Sequence, residues 1–233
     1  MWSDKRVDLT GYHGRKIYNK HYVQPEKSSR CTLIISGFAY TMESPFLYYS
    51  KMAAFNSGSD VLMVDFEYNR NIDFLDVGDS EKDLWFETEI DSLFEWLLGS
   101  GYSGFTLIGK SLGTTVMFKL LERLESGYSR NCEVDSIKGV GSVPKISHLV
   151  WLTPGTFSRE IYAYLAMTET PSFLVYGSKD DYSPQVLVET VKNNKVVDIY
   201  QVEGANHALE TGAMDKDIQN LGDYTVRLEK FIK

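Results

Sequence analysis

The stretch Phe105-Thr-Leu-Ile-Gly109-Lys110-Ser111-Leu112-Gly113-Thr-Thr-Val-Met-Phe-Lys-Leu-Leu121 decides how the rest of the chain is read. Its first four residues read as a buried strand, and Leu112 onward reads as a helix. Between them lies a G-x-S-x-G pentapeptide. Composition alone would produce such a pattern in on the order of one chain in ten, so by itself it is weak. The strand–turn–helix setting gives it weight, because a serine raised on a sharp turn needs that setting. Such a turn is strained, and the residues two before and two after the serine are forced against neighbouring backbone, where only glycine fits. The helix that follows aims its first N–H groups at the turn, where they would stabilise charge developing on a carbonyl oxygen. Ser111 is therefore the candidate nucleophile.

Working outward, five further β-rich runs accompany Phe105–Lys110: Thr32–Phe38, Asp60–Tyr68, His148–Thr153, Ser172–Gly177 and Lys195–Val202. Most lack strict alternation, as expected of strands buried on both faces, while the more even Val196–Val202 suits a place nearer an edge. Helical patterns fall between them, at Pro45–Ser57, Glu81–Leu98, Leu112–Glu125, Pro184–Asn193 and Gly222–Ile232. In the second, Leu84, Trp85, Ile90, Leu93, Phe94 and Leu97 recur at helical spacing. Pro45 and Pro184 suit first-turn positions behind capping serines, and Gly99 and Gly127 suit the positions just past helix ends. Strands alternating with helices predict an α/β protein, and no linker divides the chain, so residues 1–233 are expected to form one domain. Arg15–Val23 is the better half of a weak N-terminal hairpin. Two segments resist this scheme: Tyr128–Ser147 is long for an ordinary loop, and Pro154–Pro171 reads equally as a crossover helix or as a flap.

Composition narrows the function classes. With 233 residues, 43% of them hydrophobic, the chain is long enough to bury a substantial core. A net charge of −8 without a basic stripe is a poor footprint for nucleic acid. The first residues are too polar for a secretory signal and no apolar run approaches the ~20 residues of a membrane helix, so a cytoplasmic protein is expected. The two cysteines, Cys31 and Cys132, are expected to be reduced. They offer no zinc spacing, and no His-Glu-x-x-His, calcium-loop or phosphate-loop pattern occurs. No metal or cofactor is expected.

A serine nucleophile needs a base within hydrogen-bond reach. Of the four histidines, His13 and His21 lie in the N-terminal extension and His148 opens a strand, all places where a structural role suffices. His207 follows the last strand within Glu203-Gly-Ala-Asn-His207-Ala, beyond what would be a strand's carboxyl end, where functional side chains concentrate in open α/β sheets. The third member should be a carboxylate that holds the imidazole in one tautomer. Gly177-Ser-Lys-Asp180-Asp181-Tyr-Ser-Pro184 offers two, and each could equally be a solvated turn residue. The order serine, aspartate, histidine, each after its own strand, belongs to one particular hydrolase fold.

On these motifs, together with Ser36-Gly-Phe-Ala-Tyr40, the chain resembles the α/β-hydrolase superfamily, in its small esterase-like branch that includes dienelactone-hydrolase-like proteins. The resemblance runs from about Thr32 to the C-terminus. It implies a three-layer α/β/α sandwich with a mostly parallel sheet of at least six strands, an antiparallel N-terminal strand and little or no cap. It also places the acid three residues after the glycine and four before the proline, which selects Asp180 over Asp181. The oxyanion hole it implies uses the backbone N–H of Leu112 and of Phe38, with Ala39 as the other choice for the second donor. The sequence departs from the family in having Ser36 where a histidine commonly precedes the glycine. Dienelactone hydrolases use cysteine as nucleophile, so their substrate is not carried over.

Tyr40, Met42, Phe157 and Tyr162 are expected to line a substrate pocket, with core packing an equal reading of each. Lys110 is expected to point away from the reacting face. The function expected is cleavage of a small carboxylic ester by Ser111, Asp180 and His207 through an acyl-enzyme, with a small-molecule acyl substrate as partner and neither nucleic acid nor membrane. A thioesterase or acyltransferase would use the same residues. A peptidase fits less well, and a binding module that kept the fold is the non-catalytic alternative.

Overall fold

The computed structural model describes residues 3–126, 144–155 and 158–233. Among these residues eight strands form one sheet: β1 (Ser3–Lys5), β2 (Tyr18–Val23), β3 (Arg30–Ile35), β4 (Asp60–Asp65), β5 (Gly104–Lys110), β6 (Lys145–Leu152), β7 (Ser172–Gly177) and β8 (Val197–Val202). Their spatial order is β1-β2-β4-β3-β5-β6-β7-β8. β2 runs antiparallel to both of its neighbours, and the pairs from β4 to β8 are all parallel. β8 is an edge strand, as its alternation suggested. β1, at three residues, is too short to carry a periodic signal.

Among the described residues seven α-helices cover the sheet: α1 (Pro45–Asn56), α2 (Ile72–Asp76), α3 (Asp79–Gly99), α4 (Leu112–Ser126), α5 (Ser158–Met167), α6 (Gln185–Val191) and α7 (Met214–Phe231). Alternate strand residues divide between two cores. Leu33, Leu62, Leu107 and Leu174 meet the α3–α6 side, including Phe94, Met117, Leu165 and Val188. Ile34, Met63, Ile108 and Phe173 meet the α1 and α7 side, including Leu47, Tyr224 and Leu228. This is the three-layer sandwich predicted, with strands buried on both faces.

Several local expectations are corrected. Leu84 on α3 is exposed while its stripe mates are buried. α3 includes Gly99, and the left-handed glycine past its end is Gly101, at φ 79°. Gly127 lies outside the described residues. Ser44 occupies the α1 N-cap without a capping hydrogen bond from its side chain. Pro184 is itself the α6 N-cap. α7 starts eight residues before the predicted Gly222, because its first two turns expose Met214 and Ile218 and show no buried stripe. Pro154–Pro171 contains the crossover helix α5, with Ile161 and Leu165 fully buried. Most of Tyr128–Ser147 lies outside the described residues, and β6 begins within its last three.

The strand order positions the site. β3 has β4 on one side and β5 on the other, so the chain reverses its direction of winding there. Loops that leave the carboxyl ends of β3 and β5 diverge to opposite faces and open a crevice between them. The loop after β3 carries Phe38, and the turn after β5 carries Ser111.

Candidate active site

Ser111 sits between β5 and α4 at φ 52°, a left-handed conformation that costs a non-glycine residue energy. The flanking glycines are a steric requirement: a Cβ on Gly109 would stand 2.6 Å from the Gly113 carbonyl oxygen, and one on Gly113 2.3 Å from that of Ile35. Backbone on backbone cannot yield as a flexible side chain can. The serine is therefore locked on a turn wedged against the end of β3. Its N–H donates to the Leu152 carbonyl (2.9 Å), which fixes the turn to β6 as well.

His207 Nε2 lies 2.7 Å from Ser111 Oγ, and His207 Nδ1 lies 2.9 and 3.0 Å from the two carboxylate oxygens of Asp180. A carboxylate only accepts, so Nδ1 carries the proton. Nε2 of the neutral ring is then free to accept from the serine hydroxyl. Asp180 is 5% exposed and also accepts from the Tyr182 N–H (3.0 Å) and the Ser183 hydroxyl (3.3 Å). Ser183, read from sequence as a helix cap, instead supports the carboxylate. Asp181 is exposed. The other histidines are elsewhere: His13 is exposed, His21 meets the Tyr102 hydroxyl at 3.0 Å, and His148 packs edge-on against Phe231.

Two loops hold this arrangement together. The Lys179 N–H donates to the Ala205 carbonyl (2.9 Å) and the Gly204 N–H to the Ser178 hydroxyl (2.7 Å), tying the aspartate loop to the histidine loop. Asn206 Oδ1 accepts from the N–H groups of Ala208 (2.9 Å) and Glu210 (3.1 Å), which closes the turn around His207. Asn206 stood inside a quoted motif, yet nothing in its spacing distinguished it from a loop asparagine.

A cavity of about 600 Å³ opens at Ser111, lined among others by Phe38, Tyr40, Leu112, Tyr182 and His207. The N–H groups of Phe38 and Leu112 have no hydrogen-bond partner among the described residues. The loop bearing Phe38 is closed by the Gly37 N–H donating to the Tyr40 carbonyl (3.0 Å). The Tyr182 ring lies 4.8 Å from that of His207 and covers one side of it. Gly155, not foreseen, forms part of the wall: a Cβ there would lie 3.3 Å from Ser111 Oγ.

Two pocket expectations are corrected. Met42, 2% exposed, packs into the core beside Phe46 and Leu47 and does not line the cavity. Tyr162 is fully buried on α5, in the core on the far side of Asp180, where burial pushes its hydroxyl up. Both lie close to the site in sequence or space, but the turn ahead of α1 directs Met42 into the core and helical phase turns Tyr162 inward. Phe157 lies outside the described residues. Lys110 is the third correction: its Nζ turns under the site, donating to the Thr153 hydroxyl (2.5 Å) and the His207 carbonyl (2.8 Å).

Among the described residues no cluster of His, Cys, Asp or Glu is placed to hold a metal ion, and no helix is long and apolar enough to cross a membrane. Cys31 is a free thiol buried within β3, and burial raises its pKa. Cys132 lies outside the described residues.

No family model matches the chain, and no curated protein does. Solved structures do. A putative hydrolase from Agrobacterium vitis superimposes over 100% of both chains at TM-score 0.67 and 13% identity. An α/β serine hydrolase without a lid from Xanthomonas campestris matches at TM-score 0.61 and 14% identity, over 99% of this chain and 93% of its own. Est1E from Butyrivibrio proteoclasticus, with ferulic acid bound, matches at TM-score 0.60 and 13% identity, over 97% of this chain and 98% of its own. At such identities the likeness is one of architecture, and the architecture is the α/β-hydrolase fold.

Proposed function

We propose that the protein is a serine hydrolase that cleaves a small carboxylic ester through an acyl-enzyme. The observation that carries this reading is the hydrogen-bonded run from Ser111 Oγ through His207 to buried Asp180, at the mouth of a cavity. Ser111 attacks the ester carbonyl as its proton passes to His207 Nε2. Asp180 stabilises the imidazolium that results, and it does so strongly because it is shielded from water. The developing oxyanion takes hydrogen bonds from the N–H groups of Phe38 and Leu112, each such donor being worth about 10²–10³ in rate. His207 hands its proton to the departing alcohol, then activates water against the acyl-enzyme.

The aromatic lining by Phe38, Tyr40 and Tyr182 suits a small-molecule substrate with an apolar acyl group. The test is labelling with a fluorophosphonate probe, mapped by peptide mass, in the wild-type chain and in Ser111→Ala. Labelling confined to Ser111 and abolished in the variant is expected, followed by turnover in a panel of p-nitrophenyl esters and acyl thioesters. Folded wild-type protein that takes no label would sink the reading in favour of a binding module. Faster turnover of thioesters would move the substrate class.

A further inference from the structure

We propose that Lys110 is a positioning residue of this site, its side-chain nitrogen joining the three loops that carry the Phe38 donor, the wall at Gly155 and the imidazole of His207. The inference rests on the serine-hydrolase reading and extends it to a residue outside the triad and the oxyanion donors.

Lys110 is the last residue of β5, bonded directly to Ser111, and it is 1% exposed. Its Nζ donates to Oγ1 of Thr153 at 2.5 Å and to the main-chain carbonyl of His207 at 2.8 Å, and it lies 4.8 Å from the centre of the Tyr40 ring. An ammonium has three N–H donors and nothing to accept with. Two oxygens and the negative face of one aromatic ring match that inventory.

The three partners belong to three different loops. Tyr40 follows β3, and its carbonyl closes the turn that presents the Phe38 N–H. Thr153 follows β6 at φ 44°, a strained setting for a β-branched residue, and stands two residues before Gly155. His207 follows β8. Other contacts tie Ser111 to each of these loops or its strand singly, through the Leu152 carbonyl, the His207 imidazole and the end of β3, whereas Lys110 Nζ is one atom shared by all three. With it, their spacing is referred to the nucleophile's own backbone.

Stability gives no reason for a lysine here. Removing an ammonium from water costs several kcal/mol, and an apolar side chain of similar length would fill the same space without that cost. The charged group acting on Nζ is Asp180, which favours its protonation; the Tyr40 hydroxyl beside it is held neutral, pushed up to about 12 by burial. Desolvation outweighs Asp180 and brings Lys110 down to about 7. Above that pH the joint loses its charge and one donor.

The experiment compares wild type, Lys110→Met, Thr153→Val and Thr153→Ser by fluorophosphonate labelling, thermal melting and steady-state hydrolysis of a p-nitrophenyl ester from about pH 5 to about pH 10. Lys110→Met is expected to melt no lower than wild type at neutral pH while its kcat falls about 10- to 100-fold, the scale of a displacement near 1 Å in an active site. Its KM should stay within about twofold, since Lys110 meets the cavity wall at only 1% exposure and its nitrogen is directed to Thr153 and the His207 carbonyl, not to substrate. The wild-type kcat should decline above about pH 7, and that decline should vanish in Lys110→Met. Thr153→Val should lose activity and Thr153→Ser, which keeps the acceptor oxygen, should recover it.

A Lys110→Met protein that labels at Ser111 and keeps wild-type kcat and pH profile overturns the proposal and leaves the hydrolase reading intact. Wild-type protein that fails to label overturns both. Should Lys110→Met fail to fold, the Thr153 pair and the wild-type pH profile decide: equal kcat for valine and serine, with no alkaline decline, refutes the joint.

Discussion

Replacing Asp180 by asparagine tests the catalytic reading at its most specific point, because it changes one group's hydrogen-bonding character and almost none of its volume. The carboxylate accepts from His207 Nδ1 on both oxygens, and from the Tyr182 N–H and the Ser183 hydroxyl on one oxygen each. An amide has one acceptor oxygen, so its NH₂ must face the imidazole or one of the other donors. Turned to Nδ1, it donates and forces the ring proton onto Nε2. Nε2 then donates to Ser111 Oγ, the opposite of what a base must do. The geometry survives and the base is lost. The expected fall is about 10⁴-fold in kcat/KM, or roughly 5.4 kcal/mol of transition-state stabilisation. Asp181→Asn, on an exposed side chain one residue away, should stay within about twofold. The assay is p-nitrophenyl acetate hydrolysis together with the second-order rate of fluorophosphonate labelling, on variants whose circular dichroism matches wild type. If Asp180→Asn keeps more than about a tenth of wild-type activity, or if Asp181→Asn loses as much, the tautomer argument is refuted.

Two further outcomes follow from the packing. Gly113→Ala puts a methyl 2.3 Å from the Ile35 carbonyl oxygen and 2.7 Å from that of Ser36, so the end of β3 must move; a loss of about 3 kcal/mol is expected in urea denaturation, and wild-type stability would show the turn to be looser than described. Lys110 also makes stability depend on pH. Its value falls from 10.5 in the unfolded chain to about 7 in the folded one, so the unfolded state binds more protons between those values. Stability should therefore rise as pH goes from about 7 to about 10, by on the order of 4 kcal/mol from this group. Urea midpoints at the two ends of that window should differ less in Lys110→Met than in wild type; an equal difference would mean that Lys110 titrates as it does in water.

The parts of the site legible in advance share one property: their chemistry is written in local backbone constraints. Gly109 and Gly113 are demanded by contacts of backbone with backbone, and such demands leave glycines at fixed offsets from a serine. His207 stood out because it follows a strand and has few rivals. The choice between Asp180 and Asp181 was of another kind. Both are turn residues of the same composition, and only the three-dimensional path of the loop, with Tyr182 and Ser183 donating back to Asp180, buries one and exposes the other. Met42 and Tyr162 show the same limit from the opposite side: the path of the turn before α1 sends Met42 into the core, and on α5 a rotation of about 100° per residue decides whether Tyr162 is cavity lining or core.

Six strands and five helices were readable because alternation and helical periodicity are local consequences of burial. The sheet order was not, since it depends on which strands meet across crossovers, and β1 and α2 were too short for any period to register. Sequence alone therefore determined the class of fold, the candidate nucleophile and the candidate base, all of which rest on short-range rules. The family resemblance selected Asp180; tertiary structure seats it against His207 and decides which apolar side chains face the cavity and where the Lys110 ammonium goes. That lysine touches Tyr40, Thr153 and His207, residues separated from it by 43 to 97 positions in the chain or brought in from another strand's loop. No local pattern encodes such a meeting, because it exists only once β3, β5, β6 and β8 have taken their places in one parallel array with their carboxyl ends at the same edge.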